Sequence, residues 1–219
     1  MQTITQTKRL TTIALLSAIA YLIMFVGRIP VVLFLKYDPK DVIITIGGFL
    51  YGPVTAFLMS LLVSFVEMVT VSDTGPIGAV MNIISTCSFA CAAAYIYKVR
   101  HDIKGAVIGL SVGCLLMVAV MMLWNYFIAP IYMAVPREEV AKLLLPAFLP
   151  FNLLKGGLNA AFTMLLYKPI SVALRRSNLM PVTEGANGGK SKINAGVILV
   201  SCFVIATCVV TILVLQGKI

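Results

Sequence analysis

Five polar side chains lie within or beside strongly apolar runs: Glu67, Asn82, Asn125, Asn152 and Lys155. Even on lenient insertion scales an ionisable group inside a bilayer costs about 2.5–3.5 kcal/mol, so such a group needs a partner or a task. Amides donate and accept side by side, whereas an ammonium only donates. Asn152 and Lys155 are three residues apart, which puts them on one helical face. Neutral amides with one ammonium do not suit a bare cation. They suit a flat heterocycle or a polyol with several donors and acceptors. The competing reading is that the asparagines join helices, while Lys155 snorkels or pairs with Glu67.

Catalytic chemistry finds little support. Cys87, Cys91, Cys114, Cys202 and Cys208 all sit in apolar runs, none forms a CxxC, and they read as packed hydrophobes. His101 lies in a charged loop, so there is no HExxH motif and no His-centred triad in the membrane. No catalytic residue, metal ligand or resident cofactor is assigned, and the chain is not read as an enzyme. The stretch GANGGKS at 185–191 looks like a phosphate loop, but it puts Glu184 where the first glycine must stand and no strand precedes it. The chain therefore does not hydrolyse ATP by itself.

The elements that must hold these residues follow from composition. Of 219 residues, 60% are hydrophobic and 11% charged, too few charges to cover a water-facing surface. Soluble catalytic domains, disulfide scaffolds and disordered chains are excluded. Continuous rather than alternating apolar runs argue against a β-barrel, leaving an all-α polytopic membrane protein. Apolar windows cover 10–26, 42–71, 77–97, 106–129, 144–170 and 193–215. No small-residue cleavage site follows the first, so it reads as a retained helix. The net charge of +9 belongs at the cytoplasmic membrane face rather than on nucleic acid.

Three basic clusters orient the spans: Lys8 and Arg9; Lys98, Arg100 and Lys104; and the group from Lys168 to Lys192. If all are cytoplasmic, an even number of spans separates each from the next. Parity fails unless the window 42–71, about 30 residues long, is two helices. Gly52-Pro53 supplies the break, because proline cannot continue a helix and glycine readily ends one. The short helix 42–51 must then be tilted or buried. Outer loops fall at 28–41, 72–76 and 130–143, and the N-terminus is cytoplasmic. All five polar residues then gather toward the outer leaflet. The predicted organisation is a six-helix membrane domain (1–176), a flexible glycine-rich cytoplasmic linker (177–192) and a seventh transmembrane helix (193–216).

Several segments together resemble a known family, the riboflavin-specific substrate-binding (S) components of energy-coupling factor (ECF) vitamin transporters, the RibU family. They are ALLSA at 14–18, LKYDPKD at 35–41, GGFLYGP at 47–53, EMVTVSDTGPIG at 67–78, Met81-Asn82, WNY at 124–126 with Pro130, and PFNLLKG at 150–156. The likeness covers about residues 10–176; the seventh helix departs from the usual six-helix form. It implies a bacterial cell-membrane protein that binds riboflavin outside. A coupling transmembrane subunit (EcfT) and two ECF ATPase subunits move the loaded protein and release the vitamin inside. It carries contacts with the isoalloxazine ring edge onto Asn125, Asn152 and Lys155. Glu67, Asn82 and the 35–38 loop, with Leu35, Lys36 and Tyr37 foremost, are left for the ribityl hydroxyls or for gating. Ala14 and Ala18 become the coupling-subunit surface, since small residues one turn apart allow close helix approach. A stand-alone secondary transporter of a flavin or other small vitamin is the alternative. It would need a coupling ion, and Glu67 is the buried acid the sequence offers for that role.

Overall fold

A computed structural model describes residues 6–33, 35–72, 74–177, 179 and 195–218. Nine α-helices and one two-stranded ribbon are formed by these residues. Helix α1 (Gln6–Gly27) leads into β1 (Ile29–Val32) and β2 (Leu35–Tyr37), followed by α2 (Lys40–Tyr51), α3 (Pro53–Thr70), α4 (Gly75–Val99) and α5 (Ile103–Phe127). Two short helices, α6 (Ala129–Met133) and α7 (Arg137–Leu143), and a π-helical turn (Leu144–Phe148) precede α8 (Leu149–Arg176) and α9 (Ala195–Leu215). Six described helical segments are long and apolar enough to cross a bilayer: α1, α3, α4, α5, the α7–α8 run and α9. The protein is an all-α multi-pass membrane protein.

The break at 52–53 is as the sequence requires. Gly52 has φ 95°, a conformation that L side chains rarely adopt, and its N–H closes α2 on the Gly48 carbonyl while Pro53 opens α3. Helix α2 is too short to span, and every residue from Lys40 to Phe49 is buried among its neighbours. Lipid offers no hydrophobic drive between helices, so close packing depends on small side chains. A Cβ on Gly48 would meet Ala56 and Ala94, and one on Gly113 would meet the Phe89 backbone. Large apolar residues such as Leu62, Phe65, Leu115 and Phe203 face outward, as lipid contact demands.

Some boundaries differ from the sequence expectation. The 28–41 segment is not merely loop: it holds the antiparallel ribbon, pairing Ile29 with Tyr37 and Pro30 with Lys36. Lys40 and Asp41 form the first turn of α2 behind Pro39. The 130–143 loop contains α6 and α7. The sixth span continues past Pro169 to Arg176, the proline being accommodated within the helix. Of the 177–192 segment only Ser177 and Leu179 are described; the rest of it, including the 185–191 stretch, lies outside the described residues.

The helix order produces two ends. The ribbon, the α3–α4 turn and the α5–α8 connection share one end. Lys8, Arg9, Lys98, Arg100, Lys104, Arg175 and Arg176 lie toward the other. There Asp102 caps α5: its carboxylate accepts from the Gly105 N–H and from Arg100, which holds the carboxyl below its usual range.

Candidate functional site

At the ribbon end the helices enclose a cavity of about 180 Å³. Asn82 on α4, Asn125 on α5 and Asn152 with Lys155 on α8 all line it, as do Glu67, Leu35 and Lys36. Apolar walls come from Ile77, Met81, Met121 and Phe151. A flat, partly apolar solute fits such a lining, with amides available to its polar edges.

The spacing of α8 explains why Asn152 and Lys155 meet here: three residues bring them within one turn. The Asn152 amide donates to the Phe148 carbonyl at 2.8 Å, which leaves its oxygen as the free end. Asn125 is only 3% exposed, yet its amide makes no side-chain hydrogen bond among the described residues. That amide is not among the buried polar groups left unsatisfied; it lines the cavity, where a solute can meet it.

Charge is paired throughout the floor of the cavity. Lys155 Nζ lies 3.1 Å from Asp41 Oδ2 and donates to Ser85 Oγ at 3.2 Å. Asp41, fully buried, also accepts from Thr86 Oγ1 at 2.7 Å and from Asn159 Nδ2 at 3.3 Å. Glu67 receives Arg28 on one carboxylate oxygen, and Lys40 and Asn82 on the other. Asp38 stands 4.0 Å from Arg28 and 3.8 Å from Lys40. Three acids thus face three bases, and this group carries no net charge.

Tyr37 is the one predicted site residue whose side chain does not line the cavity. Alternation along β2 sends it to the face opposite Lys36. It is buried against Phe151, Leu154, Leu158 and Cys208, and its hydroxyl donates to Asn159 Oδ1 at 3.0 Å. Through Asn159 it supports Asp41, so it acts on the cavity from behind. The competing reading has Lys155 snorkel or pair with Glu67, and the transporter alternative takes Glu67 as the buried acid on offer. Asp41 is Lys155's partner instead, and Asp38 and Asp41 are buried as well.

Asp38 belongs to the 35–38 loop that the sequence points to, and it lines the cavity, whereas Arg28, Lys40 and Asp41 are not singled out by the sequence as members of the site. One signal was present: Pro39 followed by Asp41 marks a helix start, with proline at its edge and an acid in the first turn. Reading the helix from 40 rather than 42 puts both charges on a buried element. Ala14 and Ala18 lie far from this cavity, exposed on the outer face of α1.

A family model described as "ECF transporter, substrate-specific component" matches residues 8–167. The chain is 29% identical to the "Riboflavin transporter RibU" of Staphylococcus aureus (strain TCH60), over 78% of this chain and 94% of that protein. It is also 29% identical to the "Riboflavin transporter RibU" of Streptococcus thermophilus (strain ATCC BAA-250 / LMG 18311), over 78% of this chain and 86% of that one. A solved structure described as "Structure and mechanism of the S component of a bacterial ECF transporter" superposes with a TM-score of 0.67 at 29% identity. It covers 78% of this chain and all of the other.

Proposed function

The chain belongs to the substrate-specific components of ECF transporters, and on that premise we propose that it is the riboflavin-binding subunit of an ATP-driven vitamin importer. One observation carries this reading: the apolar-walled cavity is ringed by Asn82, Asn125, Asn152 and Lys155 around a charge-balanced floor. Riboflavin is neutral, with a flat ring system and a uracil-like edge of carbonyls and one N–H. Asn125, whose amide makes no side-chain hydrogen bond among the described residues, suits that edge. Lys155 adds a charge-assisted bond, stronger than a neutral one. Lys36 and Asn82 suit the ribityl hydroxyls, and Glu67 holds Asn82 in place. The names of the two curated relatives support the same ligand. The absorption spectrum of protein purified from cells tests this: a bound yellow flavin is expected, and flavin-free protein that also fails to take up added riboflavin contradicts it.

Energy in this scheme comes from outside the chain, through a coupling transmembrane subunit and two ATPases. The outward face of α1, with Ala14 and Ala18 one turn apart, suits close contact with the coupling subunit. Ala14→Trp and Ala18→Trp are expected to block ATP-driven riboflavin uptake by the assembled transporter while changing flavin binding less than twofold. Uptake at the wild-type rate would remove this assignment.

Orientation follows from charge. The end bearing Lys8, Arg9, Lys98, Arg100 and Lys104 is placed in the cytoplasm, which turns the cavity outward and makes the N-terminus cytoplasmic. The division into a six-helix domain (1–176), a cytoplasmic linker (177–192) and an added span (193–216) belongs to the same proposal. In a cysteine-free background, a thiol at His101 should resist an impermeant maleimide in intact cells and one at Lys142 should react. The reverse pattern would invert the scheme.

A further inference from the structure

The family match ends at residue 167, yet α9 is not detached from the site. It lies along α8, and one edge of it reaches the ribbon. Val31 and Tyr37 of the ribbon, Leu154 and Leu158 of α8, and Cys208 of α9 form one buried apolar cluster, with Ile205, Ile212 and Leu215 packed against it. Just beyond α9, Gln216 Nε2 donates to the Pro30 carbonyl at 2.7 Å. Pro30 is paired across the ribbon with Lys36, which lines the cavity.

A two-stranded ribbon is marginally stable by itself and needs a surface to lie on. Here one face rests on α8 and α9, while Leu35, Lys36 and the adjoining Asp38 form part of the cavity wall. Anything that holds the ribbon down therefore also sets the width of the mouth.

We propose that α9 braces the ribbon over the cavity, with Gln216, Ile205 and Ile212 as positioning residues that set how fast a solute enters and leaves. The kinetic part rests on the cavity being the solute site; the brace itself does not. None of the three residues touches the cavity. They act through Pro30, Val31 and Tyr37 on the strand that does.

The test uses the full-length chain with its native cysteines replaced by alanine and one reporter thiol at Met81, inside the cavity. Reaction with an impermeant maleimide is timed for this reference, for Gln216→Leu and for Ile205→Ala/Ile212→Ala. Losing the hydrogen bond or hollowing the seam should speed labelling about three- to tenfold. Riboflavin dissociation should quicken by a similar factor, and in Gln216→Leu the melting temperature should stay put. Equal labelling rates in all three proteins overturn the brace. So does a matching rise at a control thiol placed at Met59, in the core away from the ribbon, because that means general loosening. Faster labelling at Met81 alone, in a protein that binds no riboflavin, upholds the brace and sinks the functional reading instead.

Discussion

Lys155→Met is expected to weaken riboflavin binding ten- to a hundredfold and to destabilise the fold at the same time. The substitution keeps the length of the side chain and removes a charge that Asp41 and Ser85 hold and that the proposal also assigns to the ligand edge. A buried charge-assisted hydrogen bond contributes roughly 1.5–3 kcal/mol, which sets the binding loss. Removing one member of a buried ion pair costs about 3–5 kcal/mol, because the other charge is stranded. Asp41 would keep only Thr86 and Asn159. The double variant Lys155→Met/Asp41→Asn separates the two effects: it restores neutrality, so most of the stability should return while the affinity does not. Fluorescence-quenching titration and thermal unfolding read the two quantities side by side. Recovery of both in the double variant would mean that Lys155 serves Asp41 alone.

Glu67→Gln should be the most damaging single change. That carboxylate accepts from Arg28 at the end of α1, Lys40 at the start of α2 and Asn82 on α4, so one side chain ties three helices to its own. Lys40 is completely buried and, without Glu67, keeps Asp38 at 3.8 Å as its one ion-pair contact among the described residues. A loss of about 3–5 kcal/mol is expected from the uncompensated charge. Backbone amides from 28 to 42 should also exchange hydrogen faster, and flavin affinity should fall more than a hundredfold as the mouth loosens. Asn82→Leu removes one arm without stranding a cation, and should cost no more than tenfold in affinity. Wild-type melting in the Glu67→Gln protein would show that the charge network is not what holds this end together.

The parts of this protein legible in sequence were those encoded locally. Hydropathy located the spans, because a bilayer imposes a length on each. Gly52-Pro53 divided the 42–71 window, because only a break there satisfied the basic-residue parity. Polar residues in apolar helices located the cavity wall, because their cost demands a reason. What stayed hidden depends on contacts between distant segments. Asp41 looked like the last residue of a loop, since its charge ended the apolar window, and only the fold shows it inside the bundle between Lys155, Thr86 and Asn159. Tyr37 was placed at the site by its neighbours in the motif, but the alternation of a strand, unforeseen in the 28–41 loop, turns it to the other side. The approach of Gln216 to Pro30 spans 186 residues, and no local pattern announces it.

On the proposed function, the cavity takes a neutral flavin whose polar edge is met by Asn125. Equilibrium titration of the purified protein with riboflavin, followed by quenching of flavin fluorescence, tests it most directly when run beside Asn125→Leu. That variant removes an amide that makes no side-chain hydrogen bond among the described residues, so the fold should be unharmed and only a ligand should notice. Saturable quenching at one flavin per chain is predicted for the wild type, with an affinity at least tenfold lower for Asn125→Leu at unchanged melting temperature. Equal affinity in the two proteins, or no quenching in a folded wild type, would contradict the account.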